Sequence, residues 1–398
     1  MKKSLIALAA LSTIAGSVAA QSSVTVYGRL DGGYSNIEQT NAAGKISEKK
    51  GPTASNYTSS RFGFNVVEDL GSGTKAIGTA EVGLNFLSND TDFAGMGKQN
   101  QTNPQSTSVF QGLRQGFMGL EDAQLGTLTL GYQYTPEYFQ RINNLGGSSN
   151  SVGMTGSTTK SSLTVVGRDE IDALNSFQYK SPRMSGVQAT VTLGTGDTNR
   201  QASFGTAGSA GAADGSTEQV IRARAKGLSL DYTAGALNLA ASTMKQEAKS
   251  SAITYNTVAS TWTPAQVDAL GQTKYTNNTV SGSYDFGVLK LVGLAANRKV
   301  DVAATDNTDT KAKVRSAGVQ VPYGKFTFQA NYATLDRETA GVKKVDAKAT
   351  NFGVNYNLSK RTYAYVLVAE AKDKLNGGTA NTGITKVTET AIGLAHHF

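Results

Sequence analysis

The side chains able to do chemistry in this chain are charged groups set at alternate positions of extended segments. In "SSVTVYGRLDGGY", Thr25, Tyr27, Arg29 and Asp31 share one parity, while Val24, Val26, Gly28, Leu30 and Tyr34 share the other. Arg61, Gly63 and Asn65 alternate with Phe62, Phe64 and Val66. Lys75, Thr79, Glu81 and Asn85 alternate with Ala76, Ala80, Val82, Leu84 and Phe86. Arg114 stands at the start of the next such segment. Period-2 spacing puts these charges on one face of a strand and the apolar residues on the other. Guanidinium and ammonium groups gathered on a wet face act through their field. They attract anions, and Asp31 and Glu81 on the same face temper the attraction.

Covalent and metal chemistry fit the sequence poorly. An activated serine needs a base, commonly histidine, and the only histidines are His396 and His397 in the last three residues. As strand neighbours they point to opposite faces and cannot hold one metal together. There are no cysteines. "GSGTK" (71–75) lacks the spacing of a phosphate loop and sits in a turn. No catalytic residue, metal or cofactor is expected.

The elements that must carry the charged face recur from Gln21 to the end. Alternating segments of about 8 to 12 residues come in pairs. Short turns lie at 68–73, at 181–186, near Gly235, at Phe286-Gly287, at Tyr323-Gly324 and at 359–361. Long polar stretches separate the pairs. The count is sixteen strands. Asn351, Asn355 and Asn357 alternate with Phe352, Val354, Tyr356 and Leu358, one wet face against one apolar face. A closed sheet of this kind puts its apolar face in lipid and its wet face around an aqueous lumen. The expected fold is an all-β, 16-stranded antiparallel transmembrane barrel with short periplasmic turns and long extracellular loops. The chain ends "ETAIGLAHHF", in which Phe398, His396, Leu394 and Ile392 share a face. This last strand is expected to close the barrel against the first and to serve as a barrel-insertion signal. Tyr323, Tyr332, Tyr363 and Tyr365 fit interfacial girdles or simple strand propensity.

Composition agrees. Lys2 and Lys3, the apolar run from Leu5 to Ile14 and the small residues Val18-Ala19-Ala20 form a secretory signal, with cleavage expected after Ala20. Residues 21–398 then form one barrel domain. Forty-four glycines against six prolines fit a tightly turned β protein. No other apolar run approaches the roughly 20 residues of a spanning helix, and mean hydropathy is −0.28. The formal charge of +8 is a solvated surface or a cationic channel. No Lys/Arg-dense, aromatic-interleaved segment points to nucleic acid.

Six stretches resemble one family. "SSVTVYGRLDGGY", "SSRFGF" with "EDLGSGTKA", "RQGFMGLEDAQLGTLTLG", "NSFQYKSPRMSGVQ", "YNLSKRTYAY" and "GLAHHF" occur in family order. They are similar to the general trimeric porins of Gram-negative outer membranes, beta-proteobacterial branch. The resemblance implies a homotrimer in outer-membrane lipid and lipopolysaccharide, inserted by the barrel-assembly machinery and passing small hydrophilic solutes. It implies a third loop folded inward to narrow the pore, here 134–170. It further implies acidic residues on that loop, Glu137, Asp169 and Glu170, facing a wall of Arg29, Arg61, Lys75 and Arg114, with mild anion preference. Family members commonly carry arginine after the glycine of "TLG". This chain has Tyr132, so an arginine is missing from that place. Two other readings stand beside this one: a substrate-specific porin, revealed by saturable flux, and a non-conducting adhesin or structural barrel.

Overall fold

A computed structural model describes residues 22–87, 110–146, 148–149, 151, 154, 163, 165–166, 173–201, 217–256, 261–264, 272–302, 309–375 and 383–398. The signal segment, and Asp169 and Glu170, lie outside them. In chain order the elements are β1 (Ser23–Asn41), β2 (Ile46–Ala54), β3 (Arg61–Gly71), β4 (Thr74–Leu84), β5 (Phe110–Asp122), β6 (Gly126–Tyr134), α1 (Pro136–Asn143), β7 (Ala173–Lys180), β8 (Val187–Gln201), β9 (Thr217–Ala234), β10 (Leu237–Asn256), β11 (Thr261–Pro264), β12 (Gln272–Asp285), β13 (Lys290–Val302), β14 (Thr310–Tyr323), β15 (Phe326–Thr339), β16 (Val342–Asn357), β17 (Thr362–Asp373) and β18 (Ile384–His397).

Sixteen of these strands close into one antiparallel barrel. β2 and β11 are accessory. β2 pairs with the upper half of β1, and β11 with the upper end of β10. β1 is long enough to take β3 along its lower half and β18 along its upper half, which closes the ring. The last chain residue completes the seam: Gly28 and Phe398 exchange backbone hydrogen bonds of 3.1 and 3.2 Å. A Cβ at position 28 would run into the Phe398 ring, so only glycine lets the terminal phenylalanine lie across β1.

The sheet is inside out relative to a soluble protein. Phe352, Tyr332, Val366 and Leu394 are about half exposed, while Asn351, Asn331, Asn277 and Thr279 are buried. The alternation that makes each strand thus also sorts lipid-facing from lumen-facing groups. Two expectations need correction. Tyr363 and Tyr365 point into the lumen rather than outward, and Tyr365 is buried. The connection between β15 and β16 is a tight turn through Ala340 and Gly341 at positive φ. The polar stretch there continues both strands, because Leu335, Val345, Ala347 and Ala349 keep the inward alternation through it.

The inward face is not wet throughout. On the upper parts of β13 to β18 it is aliphatic: Leu294, Ala296, Val314, Leu335, Ala347 and Ala371 are all buried. Leu145, Met154, Leu163, Val165 and Val166, from the segment after α1, pack on it. This apolar seat holds those five residues inside the barrel.

Candidate lumen site

The register sets Arg29 of β1 directly opposite Arg61 of β3. Like charges so placed destabilise a sheet, so folding alone does not favour the pair. Glu81 of β4 is buried beside them. Its Oε1 lies 3.7 Å from Arg61 Nη1 and 2.8 Å from Arg114 Nε. Its Oε2 accepts the Tyr27 hydroxyl at 3.0 Å. A bulge in β5 between Leu113 and Gln115 brings Arg114 to this level. Two guanidiniums, Arg61 and Arg114, thus share one carboxylate, and Arg29 stands directly across the register from Arg61.

Asp31 is spent differently from Glu81. It is fully buried. Its Oδ2 accepts the backbone N–H of Tyr57 at 2.8 Å and of Thr58 at 2.6 Å, and its Oδ1 accepts the Tyr365 hydroxyl at 2.6 Å. The Asp31 backbone takes part too: its carbonyl accepts Ser55 N–H at 2.7 Å, and its N–H donates to Ser60 Oγ at 3.0 Å. Residues 55–60 are thereby pulled inward off the end of β2. Thr58 then accepts a hydrogen bond from Arg29 Nη1. Tyr57 packs against Tyr363 and Tyr365, with centroids 5.5 and 5.3 Å away. Its hydroxyl donates to Gln329 and accepts from Asn355. Burial pushes its phenol up to about 12, so it remains a neutral donor.

Helix α1 crosses the lumen from this wall. Thr135 caps it by accepting Tyr138 N–H at 3.4 Å, Pro136 starts it, Glu137 lies in its first turn and Arg141 in its last. Each placement suits a helix of eight residues. One side meets the arginines. Tyr138 stacks on Tyr134 at 3.8 Å, its hydroxyl accepts from Arg114 Nη2 at 3.3 Å, and the Arg114 guanidinium lies 5.7 Å from the Tyr134 ring centre. The far side is fastened to β9, β10 and β12. Gln140 donates to Ser229 at 3.0 Å and accepts from Ser242 at 2.9 Å, and Thr279 donates to Glu137. Beyond the helix, Ser148 donates to the Tyr57 carbonyl at 2.8 Å, so the two inward segments touch. Arg298 of β13 holds the Val166 carbonyl at 3.0 Å.

Of the residues picked out in the sequence, Arg29, Arg61, Arg114, Glu81 and Asp31 come together. Lys75 does not join them. It stands eight residues below Gly83, the partner of Arg61, about 26 Å along the strand, and its ammonium is 4.0 Å from Glu121. Glu137 is buried against β12. Tyr132 shares the parity of the exposed Leu128 and Leu130, so that position faces outward, and Gln133 takes the inward place. Phe398, His396 and Leu394 share the outward face of the closing strand, where His396 pairs with Thr362 at 2.9 Å. Tyr57, Thr58, Tyr138, Gln140 and Tyr365 carried no sequence signal beyond their parity or their place in a polar loop.

The model of the Gram-negative porin family matches residues 7–376. An outer membrane porin protein of Bordetella pertussis is 28% identical over 438 residues, spanning 100% of both chains. Outer membrane porin protein 32 of Delftia acidovorans is 28% identical over 94% of this chain and 90% of its own. Among solved structures, the anion-selective porin from Comamonas acidovorans superposes with a TM-score of 0.66 at 22% identity, covering 95% of this chain and 100% of that one.

Proposed function

This chain belongs to the Gram-negative porin family, and from that premise we propose that its channel is a general diffusion pore that favours anions. A porin of the outer membrane passes solutes by size and field. The observation that carries the anion reading is the arginine wall. Arg29, Arg61 and Arg114 face two carboxylates, Glu81 and Asp31, leaving one net positive charge. One charge at 5 Å is worth about 0.8 kcal/mol to a small ion in water, with opposite signs for chloride and potassium. That corresponds to a preference of roughly tenfold at low salt, falling as the Debye length drops below about 10 Å.

Helix α1, the segment after it and residues 55–60 narrow the passage in this reading. Lys75 acts at the short-turn mouth. Glu137 fastens the helix and adds its field from behind. Small hydrophilic solutes pass through the remaining opening. The protein works as a homotrimer in lipid that includes lipopolysaccharide, and the outward face ending in Phe398 is read by the assembly machinery. These last points rest on family membership. The deciding experiment is single-channel conductance of the purified protein in a planar bilayer under a KCl gradient. Conductance in threefold steps with a reversal potential toward that of chloride is expected. A folded barrel without conductance would overturn the channel reading in favour of an adhesin. Saturable flux of one solute would replace general diffusion by substrate specificity.

A further inference from the structure

Helix α1 carries a side chain that passive diffusion does not use. Phe139 is 46% exposed. Among the described residues, the other large apolar side chains of comparable exposure face outward or lie at strand ends and turns. Phe139 sits inside the barrel. Its place on the helix is the reason. Tyr138 faces the arginine wall, while Glu137 and Gln140 are fastened to the far wall. At about 100° per residue, Phe139 and Asn143 one turn later fall on the side between the two attachments, and both are exposed. That side is left to the aqueous passage.

The ring is held in place among other rings. Phe139 stands nearly perpendicular to the stacked pair Tyr134 and Tyr138, at 83° and 77°, with centroids 5.8 and 5.5 Å away. The helix beneath it is pinned by Gln140 and Glu137. Rings set at right angles offer a further ring an edge-to-face or offset seat, and a phenyl left in water still has apolar area to bury. Charge lies close to this seat. Tyr138 accepts from Arg114 at 3.3 Å, Arg114 meets Glu81 at 2.8 Å, and Arg61 lies 3.7 Å from the same carboxylate. Of the two arginines on Glu81, Arg61 keeps more of its side chain open, 22% against 11%. A guanidinium has several N–H donors in a planar fork, so the long contact to Glu81 leaves Arg61 able to take a second carboxylate. Single exposed apolar side chains are ordinary on a protein surface. Here the ring comes with two more rings and a guanidinium, on the helix that crosses the lumen.

We propose that Phe139, with Tyr138 and Arg61, forms a weak lumen subsite for monoaromatic carboxylates, the solute's ring lying against Phe139 and its carboxylate turning to Arg61. The subsite deepens the anion-favouring pore reading and rests on it. A small inorganic anion uses the arginine wall alone. A neutral solute with a ring uses the aromatic seat alone. A solute that carries ring and charge a short spacer apart uses both as it passes the helix. Both surfaces stay open to water, so the solute is held weakly enough to leave, as passage requires.

The test sets 3-phenylpropionate against three matched probes. 3-Cyclohexylpropionate lacks the π face, 3-phenylpropanol lacks the charge, and propionate lacks the ring. Half-block concentrations are read from single channels in a planar bilayer. Binding is read in parallel by saturation-transfer NMR of the detergent-solubilised protein, with protein-free micelles as blank, so a non-conducting preparation still answers. 3-Phenylpropionate is expected to bind roughly 2- to 12-fold tighter than the cyclohexyl probe and roughly tenfold or more tighter than the alcohol, with propionate weakest. Phe139→Leu should remove the first difference, and Phe139→Tyr should keep it. Arg61→Gln should remove the second. If Phe139→Leu does not refold, the phenyl and cyclohexyl probes on the unaltered protein decide. Equal affinity for the cyclohexyl probe or for the alcohol overturns the proposal, as does unchanged affinity in Phe139→Leu. The reversal potential under a KCl gradient without any probe tests the anion reading separately. A chloride-side potential with no ring preference sinks the subsite alone, and a cation-side potential refutes the anion reading whatever the probes show.

Discussion

Replacing Asp31 should unlatch residues 55–60 and raise anion preference together. The carboxylate accepts three hydrogen bonds, from Tyr57 N–H, Thr58 N–H and the Tyr365 hydroxyl, at 2.6 to 2.8 Å. Bonds to a buried charge are worth about 1.5–3 kcal/mol each, against 0.5–1.5 for neutral ones. In Asp31→Asn the amide oxygen can keep the two backbone donors, while the amide nitrogen turns to Tyr365, whose hydroxyl reverses to accept. All three contacts become neutral, a loss of about 3 kcal/mol, which raises the open fraction of the latch by roughly 150-fold. Asp31→Ala strands all three donors and should cost more, about 3–9 kcal/mol. Thr58 leaves Arg29 when the latch opens, and the wall gains one net positive charge. Single-channel recording under a KCl gradient should show added open-channel noise and a reversal potential moved toward that of chloride. Tyr57→Phe is the control. It removes the hydroxyl bonds to Gln329 and Asn355 while sparing the carboxylate, so it should add noise without moving the reversal potential. Quiet Asp31→Asn channels with the parent reversal potential would refute the latch and show that residues 55–60 are held by other contacts.

Arg29→Gln/Arg61→Gln should abolish anion preference, read as a reversal potential near zero or cation-side. Heat resistance on unboiled gels should change little, because relief of the like-charged cross-strand pair, about 0.2–1 kcal/mol, offsets the lost contacts of Arg61 with Glu81 and of Arg29 with Thr58. Gln140→Leu strips α1 of its two fastenings to β9 and β10, at about 1 kcal/mol each. Conductance should rise, and an unchanged value would mean that Glu137 and Thr279 hold the helix alone. Leu335→Ala opens the aliphatic seat under the inward segment. It should cost about 2–5 kcal/mol, seen as a lower midpoint of the heat-induced gel shift. Gly28→Val drives a side chain into the Phe398 ring. It should slow refolding into lipid vesicles far more than the same change at Gly293, where a Cβ would meet only the Ser316 carbonyl at 3.8 Å.

What the sequence determined by itself was the sorting of faces. Alternation is a property of each strand alone, so Val24, Phe64 and Leu394 were legible as lipid-facing, and Arg29, Arg61 and Glu81 as lumen-facing, before any pairing was known. The closing contact of Phe398 with the first strand was legible for the same reason: a regular strand at a chain end needs a partner. Parity does not give height. Lys75 has the same parity as Glu81 yet stands far below the arginines, because the turn at Gly71 fixes where β4 begins. Nor does parity see one-residue offsets. The arginine sought at Tyr132 would have faced lipid, and the bulge in β5 that lifts Arg114 has no local signature. Neighbours across the lumen were beyond reach altogether. Asp31 meets Thr58 27 positions away and Tyr365 334 positions away, contacts that exist only once the ring has closed and the loop has turned inward. Only tertiary structure decided that of two inward carboxylates Glu81 is shared among arginines while Asp31 holds a loop. The strand fixes which way a side chain points. Register, closure and the seat for the inward segment fix what it meets.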